Sequence, residues 1–378
     1  MRLMYFIPFL SAKGGLERTL IDKANWLVEK GHEVLFATFE NDGPIAYPLN
    51  EKVRHVDFAC PFFRIYQLPF YLRFHAVLKI KRIFRHKMKE TISAFRPNVI
   101  VVAIPLSEFF LHDLVRTVGN TPVIVESHLA YGYEPIARGL TEKILDFFYP
   151  PLNSIRKTKL LVALTKRDAS KWQNCHQRIC VIPNPLTFYP TQLHHLERKA
   201  GRILCVGRLA LQKRYDRMIN AFAKIADKYP NWYVDIYGGG QEQVKIELNQ
   251  LINTKGLAGR IKINAPVGNI YTEYQRSQFL VLSSDYEGFG LVIVEAMACG
   301  LPVVSTDCPF GPSEIIEVGK NGLLAKMEVA DLAEKIEWMI VNEDERKQMG
   351  CNAYKAAARY RKDEIMPLWE KAYLSVIQ

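Results

Sequence analysis

Short apolar runs alternate with helical patterns along the chain, in two successive series. The first series has runs near 2–10, 33–39, 98–104, 122–127, 159–165 and 178–182; the second has 202–206, 233–238, 260–265, 278–283, 302–306 and 322–325. Each is too short for a helix and nearly unbroken in apolar residues, as expected of strands buried on both faces of a parallel sheet. Helical spacing falls between most neighbours, for example at 16–30, 211–228 and 331–341. The alternation predicts an α/β protein of two doubly wound parallel sheets, each with ligand sites at the carboxyl ends of its strands. Pro183-Asn184-Pro185 breaks the pattern ahead of the polar stretch 192–202, which predicts a domain boundary there and a second domain over 184–362. The last segment, 363–377, reads as a helix with Trp369 and Tyr373 on an apolar stripe that suits either domain.

The most informative stretch follows the run Phe279-Leu280-Val281-Leu282. It reads Ser283-Ser284-Asp285-Tyr286-Glu287-Gly288-Phe289-Gly290 and then an apolar helix, 291–298, stopped by Gly300. A strand, a glycine turn and a helix N-terminus form a backbone site for an anion. Two carboxylates frame it, Glu287 in the turn and Glu295 about two turns into the helix. They offer acceptors for a polyhydroxylated ligand; the alternative is a surface loop acid and a solvated helix residue.

Other predicted strand ends carry related chemistry. Gly14 and Gly15 open the first helix, where backbone amides can approach a phosphate or sugar. Gly207-Arg208 ends the first run of the second series, and Lys213 follows five residues later, a two-cation clamp for a diphosphate. Tyr237-Gly238-Gly239-Gly240 ends the next run, its glycines expected to clear space at the sheet edge. No turn has the G-x-G-x-x-G spacing of a dinucleotide site. His128, at the end of 123–127, is placed to donate to a sugar hydroxyl or phosphate if it faces a cleft, and is otherwise structural.

Composition narrows the class. The 378 residues are 49% hydrophobic and 24% charged, which excludes a disordered chain. Seven scattered cysteines, none spaced C-x-x-C, argue against a disulfide framework or zinc site and fit a reducing cytosol. The N-terminus shows no cleavable signal pattern, and no run approaches 18 apolar residues. The net charge of +11 is uneven: residues 1–183 hold 26 Lys+Arg against 16 Asp+Glu, and 184–378 hold 24 against 23. An anionic partner is therefore expected on the first half. Residues 60–89 contain eight Lys or Arg and no acid, interleaved with Phe62, Phe63, Tyr66, Phe70, Tyr71, Phe74 and Phe84. That composition suits an anionic membrane surface, or else a core-packed helix with a basic back.

The chain resembles a retaining glycosyltransferase of family 4 with the GT-B fold. The resemblance rests on E-G-F-G-L-V-I-V-E from Glu287 to Glu295, continued by Ala296-Met297-Ala298-Cys299-Gly300-Leu301-Pro302. Gly14-Gly15, Pro183-Asn184-Pro185, Gly207-Arg208 with Lys213, and Gly322-Leu323-Leu324 also carry it, and it spans nearly the whole chain. Asp307-Cys308-Pro309-Phe310-Gly311-Pro312 is similar to the subset that builds bacterial surface polysaccharides and lipid-linked oligosaccharides; Asn264-Ala265-Pro266 departs from the glycine often found in relatives. The resemblance implies two facing domains with a cleft between them, the final segment 363–378 returning to the first. It implies a nucleotide-sugar donor, UDP-linked, and a lipid-linked glycan acceptor on the cytoplasmic face of the membrane. Arg208 and Lys213 would hold the diphosphate, Glu295 the ribose, and Glu287 with the backbone of Gly288, Phe289, Gly290 and Leu291 the donor sugar. Gly15 would meet the phosphate and His128 a sugar hydroxyl. No Asp-x-Asp pair is present, in keeping with catalysis without metal or other cofactor. The rivals are a nucleotide-sugar epimerase of similar build and a basic RNA-binding protein; no RNA-binding module supports the latter.

Overall fold

The structure, a computed structural model, describes residues 1–61, 65, 68–104, 108–132, 153–191 and 198–377. It divides into two compact units, Met1–Pro183 with Ile365–Gln378, and Asn184–Glu364.

The first unit holds a seven-stranded sheet of β1 (Arg2–Ile7), β2 (Glu33–Thr38), β3 (Arg54–Asp57), β4 (Val99–Ile104), β5 (Val123–Ser127), β6 (Leu160–Ala163) and β7 (Ile179–Val181), in the order β3-β2-β1-β4-β5-β6-β7. The second holds β8 (Arg202–Val206), β9 (Tyr233–Tyr237), β10 (Ile261–Asn264), β11 (Phe279–Leu282), β12 (Val303–Thr306) and β13 (Gly322–Ala325), in the order β10-β9-β8-β11-β12-β13. Every strand pair is parallel. All twelve expected runs are strands. The thirteenth, β3, was not predicted: Arg-His-Val-Asp has no apolar run because it pairs only with β2 at the sheet edge.

In the second sheet the order reverses between β8 and β11. The chain leaves these two strands toward opposite faces, which opens a crevice at their carboxyl ends. The loops that border it are those after β8 and β11, so residues some 70 positions apart meet there.

The helix expected over 211–228 is broken. A short 3-10 turn, Leu211–Lys213, is followed by Arg214 in the left-handed region (φ 47°) and then the helix Tyr215–Ala223. Arg214 is held there by its guanidinium bonds to Asp216 at 2.9 Å and Asp285 at 3.2 Å, contacts that local periodicity does not register.

The basic segment forms the helix Phe70–Phe95. Its apolar stripe, Val77, Ile80, Phe84, Met88 and Phe95, is buried in the first unit's core. Phe84 stacks on Phe39 at 5.2 Å and meets Phe110 at 4.9 Å, so it is unavailable to a membrane. Lys81 is also internal, 4% exposed and 3.2 Å from Asp113, which Arg85 reaches at 2.7 Å. Lys79, Arg82, Lys87 and Lys89 are exposed, as are Tyr71, Leu72 and Leu78. Phe62, Phe63, Arg64, Tyr66 and 192–197 lie outside the described residues, as do the side chains of Phe70 and Phe74. Among the described residues no helix is long and apolar enough to cross a membrane.

Candidate active site

At the crevice of the second unit, β11 delivers Ser283 to Gly290 onto the helix Leu291–Ala298. Gly290 caps that helix at φ 92° and ψ 48°, a left-handed conformation that glycine adopts without steric cost. The helix's opening amides are thereby turned toward the crevice. The turn is braced from below. Glu287 exchanges backbone hydrogen bonds with the 309–310 segment, and a Cβ on Gly311 would collide with the Phe289 carbonyl.

The loop after β8 closes the other side. Lys213 Nζ donates to Glu287 Oε1 at 2.7 Å, and Ser284 Oγ donates to the same oxygen at 2.6 Å. The two loops are further stitched by Gln212 Nε2 to the Tyr286 carbonyl at 2.7 Å and by Ser283 Oγ to the Lys213 carbonyl at 2.9 Å. Below them Arg217 donates to the Ser283 carbonyl at 2.7 Å and to Asp285 at 2.6 Å. Glu287 is thus a mostly buried, ion-paired acid rather than a surface loop residue. Arg208 is exposed and makes no hydrogen bond or ion pair among the described residues, so its charge is open to an incoming anion. Glu295 is 1% exposed and accepts from the Tyr274 hydroxyl at 2.9 Å, so it is not a solvated helix residue.

The glycine run after β9 leaves no clear space. A Cβ on Gly238 would strike the Gly207 carbonyl and one on Gly240 the Leu209 carbonyl, while Leu209 N donates to Gly239 O at 2.8 Å. These glycines let the Gly207–Leu209 backbone pack directly against them, and so fix where the Arg208 loop begins.

In the first unit Gly14 caps the helix Gly15–Glu29 with extended backbone. The carboxylate of Glu17 folds back onto Gly14 where a side chain would start, so the turn holds an acid of its own chain. His128 follows β5 and is the end of a buried chain of polar groups. Its Nε2 lies 2.9 Å from Glu126 Oε2, which also accepts from Lys23 Nζ at 2.7 Å; Tyr373 donates to Glu126 Oε1 at 2.7 Å. Lys23 sits 3.1 Å from the centre of the Trp369 ring. Burial pulls Lys23 down to about 8, more than its attraction to Glu126 restores. Burial pushes Glu126 up, but Lys23 and His128 together outweigh it and leave the carboxyl at about 2. Both are charged at neutral pH. Burial lowers His128 below its ordinary value, so the ring is neutral and its single N–H goes to Glu126; the other nitrogen is an acceptor, and the ring is not the donor that its strand-end position suggests.

Sequence reading did not find Ser284, Tyr274, Lys23 or Glu126 as partners of these residues. Their partners lie 3, 21, 103 and 2 positions away respectively, and no common spacing marks them.

Residues 13–187 match the family model described as Glycosyltransferase Family 4, and residues 194–356 that described as Glycosyl transferases group 1. A Haemophilus influenzae protein named an uncharacterized glycosyltransferase is 25% identical over 378 residues, spanning 98% of this chain and 99% of its own. The amylovoran biosynthesis glycosyltransferase AmsD of Erwinia amylovora is 24% identical, spanning 97% and 98%. Among solved structures, Anabaena HepE in complex with UDP and glucose has a TM-score of 0.75 at 21% identity, covering 99% of this chain and 100% of HepE. The pneumococcal O-GlcNAc transferase GtfA in complex with UDP and GlcNAc has a TM-score of 0.77 at 14% identity, covering 100% and 99%. With its two parallel-sheet units and both halves matched by glycosyltransferase models, this chain is a glycosyltransferase of the GT-B fold.

Proposed function

We propose that the chain is a retaining glycosyltransferase that moves a hexose or N-acetylhexosamine from a UDP-linked donor to a lipid-linked or polysaccharide acceptor at the cytoplasmic membrane face. The observation that carries this reading is the crevice of the second unit. There Lys213 and Glu287 meet at 2.7 Å beside a helix N-terminus and the exposed Arg208. Departure of a nucleoside diphosphate develops negative charge. Lys213, held at the crevice, the amides at Leu291 and the exposed Arg208 are positive groups that stabilise it without a metal ion. Glu287 and the backbone from Gly288 to Leu291 serve the donor sugar, and Glu295, its carboxylate steadied by Tyr274, the ribose. In the first unit the Gly14–Gly15 turn serves a phosphate once the Glu17 carboxylate swings away from it, and the His128 ring offers an acceptor nitrogen to a sugar hydroxyl. The UDP found with HepE and GtfA and the polysaccharide named for AmsD support the donor and acceptor classes.

For the membrane, the exposed Lys79, Arg82, Lys87 and Lys89 each contribute on the order of 1 kcal/mol near an anionic surface. Tyr71, Leu72 and Leu78 on the same helix add apolar contact.

The test is a thermal-shift screen of nucleotide sugars, followed by transfer from the best stabiliser to lipid-linked acceptors with the product anomer read by NMR. A UDP-sugar that raises the melting temperature and yields a product of unchanged anomeric configuration is expected. Inversion overturns the retaining assignment. No stabilisation by any UDP-sugar overturns the donor assignment, and a new sugar isomer released without acceptor makes the protein an epimerase.

A further inference from the structure

The phenol of Tyr215 is a polar group that the site described above does not use. Tyr215 opens the helix Tyr215–Ala223, directly after Arg214, whose bonds to Asp216 and Asp285 fix the backbone at this corner. The residue is 5% exposed, and its hydroxyl oxygen is buried with no hydrogen-bond partner among the described residues. A side chain built on Gly207 would begin 3.0 Å from that oxygen and 3.3 Å from Lys213 Cε. The hydroxyl therefore lies under the same glycine that supports the Lys213 stem, in the loop that carries Arg208.

A buried hydroxyl without a partner is unfavourable, and phenylalanine would fill the same volume without that cost. Burial raises the phenol well above its ordinary value, with Cys205 and Glu287 adding to the effect. The group is thus protonated at any physiological pH and is able to donate.

We propose that Tyr215 is a further donor-recognition residue, its O–H reserved for an oxygen of the nucleoside diphosphate bound at Lys213. This rests on the nucleotide-sugar reading above. A phosphate oxygen that draws Lys213 away from Glu287 comes within reach of the hydroxyl, which supplies a neutral donor beside the two cations. A neutral donor adds direction to the contact where Lys213 and Arg208 add charge.

The experiment compares wild type with Tyr215→Phe, using UDP alone as the probe. Melting temperature is measured without UDP, affinity by calorimetry, and donor KM and kcat by transfer assay. Without UDP the variant is expected to melt at the wild-type temperature or above it, because an unpaired buried hydroxyl has been removed. Its affinity for UDP is expected to fall roughly tenfold or more, the worth of a hydrogen bond to a charged oxygen, with a matching rise in donor KM. Equal UDP affinity in the two proteins overturns the proposal while leaving the donor reading intact. A lower melting temperature without UDP also overturns it, because the hydroxyl then serves the fold. Failure of wild type to bind UDP removes both readings at once.

Discussion

Replacing Lys213 by Met should separate the structural and chemical roles of the Lys213–Glu287 pair. The two charges are 2.7 Å apart, with side chains 13% and 9% exposed. At an effective dielectric near 20 their gross attraction is about 6 kcal/mol, largely offset by the several kcal/mol needed to desolvate each ion. The methionine variant gives up the attraction but still desolvates Glu287, whose carboxylate then keeps, among the described residues, Ser284 Oγ at 2.6 Å. Breaking a fully buried pair costs about 3–5 kcal/mol; with this residual exposure and the serine bond, about 2 kcal/mol is expected. In a unit of this size that is a fall of roughly 4–8 °C in melting temperature. Turnover should drop about a hundredfold or more, the scale of losing a preorganised charge contact. The double variant Lys213→Met/Glu287→Gln, assayed by thermal melt and by donor kinetics, should regain most of the stability and none of the activity. Arg208→Ala, with no partner among the described residues to strand, should lose activity without losing stability. A Lys213→Met protein that binds UDP and turns over like wild type, or a double variant that recovers turnover along with stability, would overturn the two roles.

The remaining expectations concern other parts of the chain. Glu295→Gln should chiefly raise donor KM and Glu287→Gln chiefly lower kcat; identical kinetic signatures would remove the two assignments. Activity should survive EDTA, and loss of activity that added magnesium or manganese restores overturns the metal-free reading. Changing Lys79, Arg82, Lys87 and Lys89 together to Gln should release the protein from anionic vesicles, and wild-type binding should weaken with salt. Wild type that fails to co-sediment at low salt sinks the membrane reading. Glu126 is held at about 2, below its ordinary 4.5, so the stability it contributes is complete above pH 4.5 and is lost as pH falls toward 2. Acid titration of Glu126→Gln should show a shallower loss over that window; an unchanged slope would falsify the ion-pair account.

The strands and the glycine turns were legible because their signals are local. Val99–Ile104 and Phe279–Leu282 are unbroken apolar runs, and a run of that length buried on both faces has few other solutions. β3 escaped because an edge strand with one neighbour needs no apolar run. The break in the helical pattern over 211–228 is not legible in the sequence, because Arg214 takes its left-handed turn from Asp216 and Asp285, and periodicity carries no record of such bonds.

The chain's own order of residues determined the two parallel sheets, the glycine turn at Gly288–Gly290 and the candidate charges Arg208, Lys213, Glu287 and Glu295. It left open whether the basic segment meets an anionic surface or packs in the core. Tertiary structure alone decided which charges stay free. It turned Val77, Ile80, Phe84 and Met88 into the core and gave Lys81 to Asp113, leaving Lys79, Arg82, Lys87 and Lys89 outside. It also joined Lys213 to Glu287, Glu295 to Tyr274 and His128 to Glu126. The physical reason is the range of the interactions. Hydrophobic periodicity and turn conformation act over a few residues. The pairing of a buried charge is set by whichever group the sheet order brings within 3 Å, here from 74 positions away for Lys213 and Glu287.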